Sequence, residues 1–200
     1  MNDLLREHGW TAIADLLDAK EIEAVNTAAE HLLALPAEHR HPADKVASGT
    51  RIAHDLTTRN DLVADIVTRP PLRRAVEFLL GQDYWLDQAA FRSPGPTFGQ
   101  QYLHADDAPK LDDGPTMVTT AIVALVDFTE TNGATRVVPG SHRRIDLQRQ
   151  SGSLDRHQDE ICLVGSAGTA FVFSGHLLHS GTRNNSGRDR PALQLVWRRR

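Results

Sequence analysis

The chain is poor in cysteine: Cys162 stands alone among 200 residues. That excludes a disulfide within the chain and any zinc site built from several thiolates. Cys162 lies in the apolar run Ile161-Cys162-Leu163-Val164 and is expected to be a buried structural thiol. Long hydrophobic runs are also missing. No stretch approaches the roughly 18 apolar residues needed to cross a bilayer. The opening Met1-Asn2-Asp3-Leu4-Leu5-Arg6-Glu7-His8 has no basic segment leading into an apolar one. Nor is there an excess of positive charge. A net charge of −4 gives no basic footprint for nucleic acid, and the closing Arg198-Arg199-Arg200 reads as a solvated end. These absences predict a soluble, cytoplasmic protein with neither a nucleic-acid nor a membrane partner.

What is present is enough apolar material for one core. Hydrophobic residues make up 40% of the chain, which predicts a single domain over 1–200. The first third has helical texture. Asp18 stands three before Glu21, a capping box with Asp in the capping position, and Ile22, Val25, Ala29, Leu32 and Leu33 follow at helical spacing. A short strand is predicted at Trp10–Ile13, and a second helix over 71–80, stopped by Gly81. Residues 36–60 read as a polar, irregular loop able to lie over a site.

From Tyr84 the texture changes to strands and turns. Strands are predicted over 84–92, 118–126, 135–138, 168–173 and 192–197, the second being rich in β-branched residues. Helices first and short strands afterwards argue for an α+β fold, a sandwich or barrel packed against helices.

His104-Ala105-Asp106 carries the chemistry. On an extended segment, residues two apart point the same way, so an imidazole and a carboxylate can take adjacent positions on one metal ion. His179, just beyond the 168–173 strand, is the candidate third ligand. Two histidines and one carboxylate leave three positions of an octahedral ion open, as Fe(II) needs to bind a bidentate co-substrate and dioxygen together. Alone, His-x-Asp is a common dipeptide spacing, and an Asp capping a turn is the plain alternative. Arg190, eleven residues past His179 across a Gly- and Asn-containing turn, strengthens the metal reading. The two strands flanking that turn are expected to pair antiparallel, placing a guanidinium near the ion as a clamp for a dicarboxylate.

The sequence resembles the phytanoyl-CoA dioxygenase family along most of its length. The resemblance is carried by Glu7-His8-Gly9-Trp10, by Gln101-Tyr102-Leu103-His104-Ala105-Asp106 and by Asp127 to His142, which contains Asn132-Gly133-Ala134-Thr135 and Pro139-Gly140-Ser141-His142. It continues in Gly175-His176-Leu177-Leu178-His179-Ser180-Gly181 and Arg190-Pro191-Ala192-Leu193-Gln194. It implies a double-stranded β-helix (jelly-roll, cupin-like) core with flanking N-terminal helices, and Fe(II), 2-oxoglutarate and O₂ as cofactor and co-substrates.

Carried over residue by residue, His104, Asp106 and His179 are the expected catalytic iron ligands. Arg190 is expected to hold the far carboxylate of 2-oxoglutarate, with Arg188 as its competitor. Gln101 and either Thr119 or Thr120 are expected to face the pocket and touch co-substrate or substrate. Ile122 stands near the place where many members carry a tryptophan, and the chain is short for the family, so pocket-shaping loops are trimmed.

The implied reaction is hydroxylation of an unactivated C–H of a small molecule, with secondary metabolism as the expected setting, and with release of succinate and CO₂. Because the carboxylate ligand is present, hydroxylation is preferred over halogenation. Desaturation, cyclisation and epimerisation remain open, as do a catalytically silent jelly-roll binding protein and a cupin-like Zn(II) or Mn(II) enzyme. Of the other candidates, His176 is three from His179 and does not share its face. His142 reads as part of a structural turn and Asp107 as a polar neighbour. His8, His31, His39, His41, His54 and His157 read as surface residues. Trp10, Trp85 and Trp197 read as packing residues, and Arg51, His54 and Arg92 as possible lining of a pocket mouth.

Overall fold

A computed structural model of the chain describes residues 1–46, 49–108, 116–148 and 151–200. Its helices are α1 (Asn2–His8), α2 (Ala19–Ala34), α3 (Leu56–Arg59), α4 (Asp61–Ile66), α5 (Pro70–Leu80) and α6 (Ile145–Gln148). Its strands are β1 (Trp10–Ile13), β2 (Thr50–Ala53), β3 (Tyr84–Pro94), β4 (Val118–Ala124), β5 (Thr135–Val137), β6 (Ile161–Cys162), β7 (Ala170–Ser174), β8 (His179–Gly181) and β9 (Ala192–Arg199).

The capping box at α2 forms as the sequence predicts. The Asp18 carboxylate accepts from the Glu21 amide, and the Glu21 side chain accepts from the Asp18 amide, satisfying two donors that the helix start leaves open. Helix α5 ends at Gly81, whose φ of 79° is a backbone state that glycine adopts without steric cost.

Six strands form one antiparallel sheet in the order β1-β7-β4-β9-β3-β2, and three form a second in the order β6-β5-β8. Side chains alternate faces along a strand, so the pairing register sorts the large sheet into two layers. Ala121, Val123, Val172, Leu193, Leu195, Trp197 and Phe91 pack outward, in one core with the apolar faces of α2, α4 and α5. Ala124, Phe171, Phe173 and Ala192 point the other way, into a second core shared with Val137 of the small sheet and with Phe128, Leu163 and Leu177. Two facing antiparallel sheets with helices on one outer face make the α+β jelly-roll that the resemblance implies. The site lies between the sheets, on the inward layer.

Four expectations need correction. The segment over 36–60, of which Ala47 and Ser48 lie outside the described residues, is not an irregular loop. It contains β2, which pairs with β3 through Thr50↔Pro94 and Ile52↔Arg92, and it contains α3. A four-residue strand inside a polar stretch has too little periodicity to be read from sequence. The strands flanking the 182–190 turn do not pair: β9 lies between β4 and β3, while β8 belongs to the other sheet. Trp85 is exposed, unlike Trp10 and Trp197. Cys162 is half-buried on β6 rather than enclosed, and burial raises its thiol above the ordinary range.

Candidate metal centre

His104 and His179 face each other across an isolated antiparallel bridge. Each backbone amide donates to the other's carbonyl, at 3.0 and 2.8 Å, so the two side chains leave the bridge on the same side. Their ring centroids are 4.5 Å apart. His179 also pairs with Val137 on its other edge, which fixes it inside the small sheet. The approach of the 99–101 segment depends on Gly181, because a Cβ there would meet the Gly99 carbonyl at 2.5 Å.

Both imidazoles are held through Nδ1. His104 Nδ1 lies 2.8 Å from the Tyr102 carbonyl, and His179 Nδ1 lies 2.9 Å from that of Leu177. A carbonyl only accepts, so each Nδ1 carries the proton and each Nε2 presents a lone pair. Asp106 Oδ1 lies 3.8 Å from His104 Nε2 and 3.6 Å from His179 Nε2. The other oxygen, Oδ2, accepts a 2.7 Å hydrogen bond from Thr120 Oγ1. Burial pushes the His179 imidazole below its usual range, against the pull of Asp106, and keeps it in the neutral form that coordinates. The three donor atoms lie within 4.8 Å of one another and can hold one metal ion. Their two-nitrogen, one-oxygen set suits a ferrous ion with open positions.

A cavity of about 320 Å³ opens over these donors, lined among others by Arg92, Gln101, Ile122, Thr135, Arg190 and Gln194. Arg190 is 7% exposed, and its Nε and Nη1 have no hydrogen-bond partner among the described residues. Its guanidinium carbon sits 4.6 Å from the centroid of the Phe128 ring. Burial, with Arg92 adding to it, pushes the guanidinium down to about 10, so it remains charged at neutral pH. An orphaned buried cation is costly unless an anion completes it. The residues present therefore fit both the metal ion and a carboxylate co-substrate.

Of the remaining sequence candidates, Gln101 lines the cavity, and its Oε1 accepts from the Gly181 amide at 3.0 Å, bracing β8. Thr119 is a correction. It pairs with Trp197 and Ser174 on β4 and faces the helices, whereas Thr120, one residue on, faces the metal donors. Strand composition cannot fix which of two adjacent threonines points inward. Thr135, on β5, lines the cavity; the resemblance covers its segment, but residue chemistry alone gives it no site role. Arg188 does not line the cavity and Arg190 does, which separates the two competitors. Arg51 turns outward to Glu30 and Asp189. His176 faces Asp107, at 3.5 Å, and the Ala108 carbonyl rather than the metal donors. The His142 ring lies 3.3 Å from the Arg6 carbonyl, in a structural turn.

His41 and His54, expected at the surface, form a half-buried group with Asp44 whose donor atoms also lie within 4.8 Å. Burial pushes the Asp44 carboxyl up, but hydrogen bonds from His54, Arg59 and the His41 amide outweigh it and hold the group below its ordinary value. With both oxygens so engaged, Asp44 ties the ends of this segment together around β2.

The neighbouring threonines give a paired prediction. Thr120→Val removes the hydrogen bond that orients Asp106 and should weaken Fe(II) binding by roughly 10- to 100-fold. Thr119→Val replaces a buried hydroxyl that has no partner among the described residues and should leave metal affinity unchanged. Competition with a metal-sensitive chelator reads both.

The family profile described as phytanoyl-CoA dioxygenase matches residues 5–192. The chain is 28% identical to the dioxygenase olcK of Penicillium canescens, across 96% of this chain and 68% of that protein. It is 29% identical to the Fe(II)/2-oxoglutarate-dependent dioxygenase nvfF of Aspergillus novofumigatus, across 98% and 70%. Curated relatives are longer, and the chain spans between 53% and 70% of their lengths. Among solved structures, it is similar to HygX from Streptomyces hygroscopicus with nickel and 2-oxoglutarate bound. The TM-score is 0.78 at 18% identity, covering 98% of this chain and 85% of that one, which supports the fold.

Proposed function

Since the chain belongs to the phytanoyl-CoA dioxygenase family and is a dioxygenase dependent on Fe(II) and 2-oxoglutarate, we propose that His104, Asp106 and His179 hold its iron, that Arg190 anchors 2-oxoglutarate, and that it hydroxylates an unactivated C–H of a small molecule. The observation that carries this reading is one cavity containing both a converged His/Asp/His donor set and a buried guanidinium lacking an anion.

Bound iron supplies the redox chemistry with O₂, in which decarboxylation of 2-oxoglutarate to succinate and CO₂ accompanies insertion of one oxygen atom into the substrate C–H bond. The protein's own residues position and shield. The protons on the two Nδ1 atoms keep Nε2 free as the ligand atom, and Thr120 holds Asp106 by one oxygen so that the other is presented. Arg190, stacked on Phe128, offers a planar donor fork to the distant carboxylate of the co-substrate. Phe173, with its ring centroid 4.6 Å from that of His179, and Ile122 keep one wall of the cavity apolar. The volume is at the low end for ligand sites, so any large substrate extends past the half-exposed Phe98 at the rim. Small metabolites are therefore the substrate class that fits.

Anaerobic titration tests the reading. Adding Fe(II) and 2-oxoglutarate together should produce a visible charge-transfer band that neither gives alone, and that Zn(II) in place of Fe(II) does not give. If the band is absent while the protein stays folded, the assignment of this cavity as the iron and co-substrate site fails.

A further inference from the structure

Arg92 is a second guanidinium in the same cavity, and the proposed iron and co-substrate chemistry gives it nothing to do. It lies on the inward layer of β3, opposite Ala192 of β9, while Gln194 lies opposite Ala90. The two side chains are thus diagonal neighbours on one face. Arg92 Nη1 donates to Gln194 Oε1 at 3.0 Å, and among the described residues no carboxylate lies within ion-pair distance of it. That bond turns the Gln194 Oε1 towards Arg92 and takes up one of its two lone pairs. Beyond that bond the pair offers mainly the Gln194 NH₂ and the remaining guanidinium N–H groups, which are donors. A surface rich in donors around a partly buried positive charge suits an oxygen-rich anion.

The charges point the same way. Once the site is loaded, the ferrous ion and Arg190 are balanced by Asp106 and the 2-oxoglutarate dianion. Asp106 is the acidic group whose charge acts on Arg92, and it is committed to the metal. Arg92 is left as the uncompensated charge in the cavity, half-buried, at a cost that a second anion would reduce.

We infer that Arg92 and Gln194 form the substrate-reading pair, and that the primary substrate is a small molecule bearing a carboxylate or a similar oxyanion. This rests on the function proposed above and names its substrate class. The anion would hold the substrate by one end on the β3–β9 wall, while the apolar wall made by Ile122 and Phe173 receives its hydrocarbon part.

The test reads binding without turnover. The full chain is loaded with redox-inert Zn(II) and 2-oxoglutarate, then titrated with hexanoate and with hexanamide, which match in length and differ in charge, by ligand-observed NMR and calorimetry. Hexanoate should bind roughly 10- to 100-fold more tightly, as expected for charge-assisted hydrogen bonds. Arg92→Gln should erase that preference and leave 2-oxoglutarate affinity intact. Gln194→Glu, which keeps Arg92 but supplies it with an internal carboxylate, should erase it too, so the result does not depend on one variant folding.

An acid bound no better than the amide, including neither binding, overturns the inference. So does a preference that survives both substitutions. A loss of 2-oxoglutarate affinity in Arg92→Gln would assign the arginine to the co-substrate instead. Failure of the wild-type chain to bind 2-oxoglutarate is a separate outcome that removes the proposed function, and this inference with it.

Discussion

Replacing His104 or Asp106 with Ala should abolish 2-oxoglutarate-dependent succinate release and reduce bound iron to a trace. The reason is geometric. His104 and His179 present their Nε2 atoms on the same side of one hydrogen-bonded bridge, and Asp106 Oδ1 lies 3.8 and 3.6 Å from them. Removing any of the three leaves two donors, and the loss should exceed the roughly 10- to 100-fold that changes to outer-shell partners cost. The fold should survive, because Asp106 and His104 sit at the cavity surface and their side chains remain 26% and 37% exposed. Iron stoichiometry after desalting and succinate release measure the two effects separately. Succinate formed at the wild-type rate by either variant would refute the ligand assignment.

The second large effect belongs to Arg190. Arg190→Ala should weaken 2-oxoglutarate binding by roughly 30-fold to several thousand-fold, which is what truncating one partner of a buried, hydrogen-bonded charge pair costs, about 2–5 kcal/mol. The guanidinium is enclosed, stacked on Phe128, and has two nitrogens with no partner among the described residues. Few other groups in the cavity can replace it. Arg190→Lys should recover only part of the loss, since an ammonium lacks the planar fork. Arg188→Ala should leave co-substrate affinity unchanged, because Arg188 lies outside the cavity. Calorimetric titration of 2-oxoglutarate into the Zn(II)-loaded proteins decides it. Unaltered affinity in Arg190→Ala would move the clamp elsewhere.

Much of the site was legible before the structure. His-x-Asp is a local signal, because two residues of extended chain suffice to put both donors on one side. His179 and Arg190 could be nominated from the ordered segments that surround them. Antiparallel pairing of the strands on either side of their turn was expected, yet β8 and β9 lie in different sheets, and the histidine and arginine line one cavity from those two sheets instead. The residues named from the sequence line one cavity, but not through the strand pairing expected of them.

Thr119 shows the limit from the other side. Adjacent strand residues differ only in parity, and parity is set by how β4 registers with β7 and β9. Arg92 shows it again. The sequence marked it as possible pocket lining, but its place beside Gln194 depends on the β3–β9 register, which shifts between Leu86 and Gln88.

The sequence by itself determined the longer elements, the capped helix α2 and which chemically apt side chains are present for a candidate site, since these follow from residue chemistry and from spacings of a few positions. The tertiary structure decided which side chains share a face. A one-residue change of register exchanges the inner and outer layers of a strand, and that register is fixed by hydrogen bonds to strands distant along the chain, where local spacing carries no information.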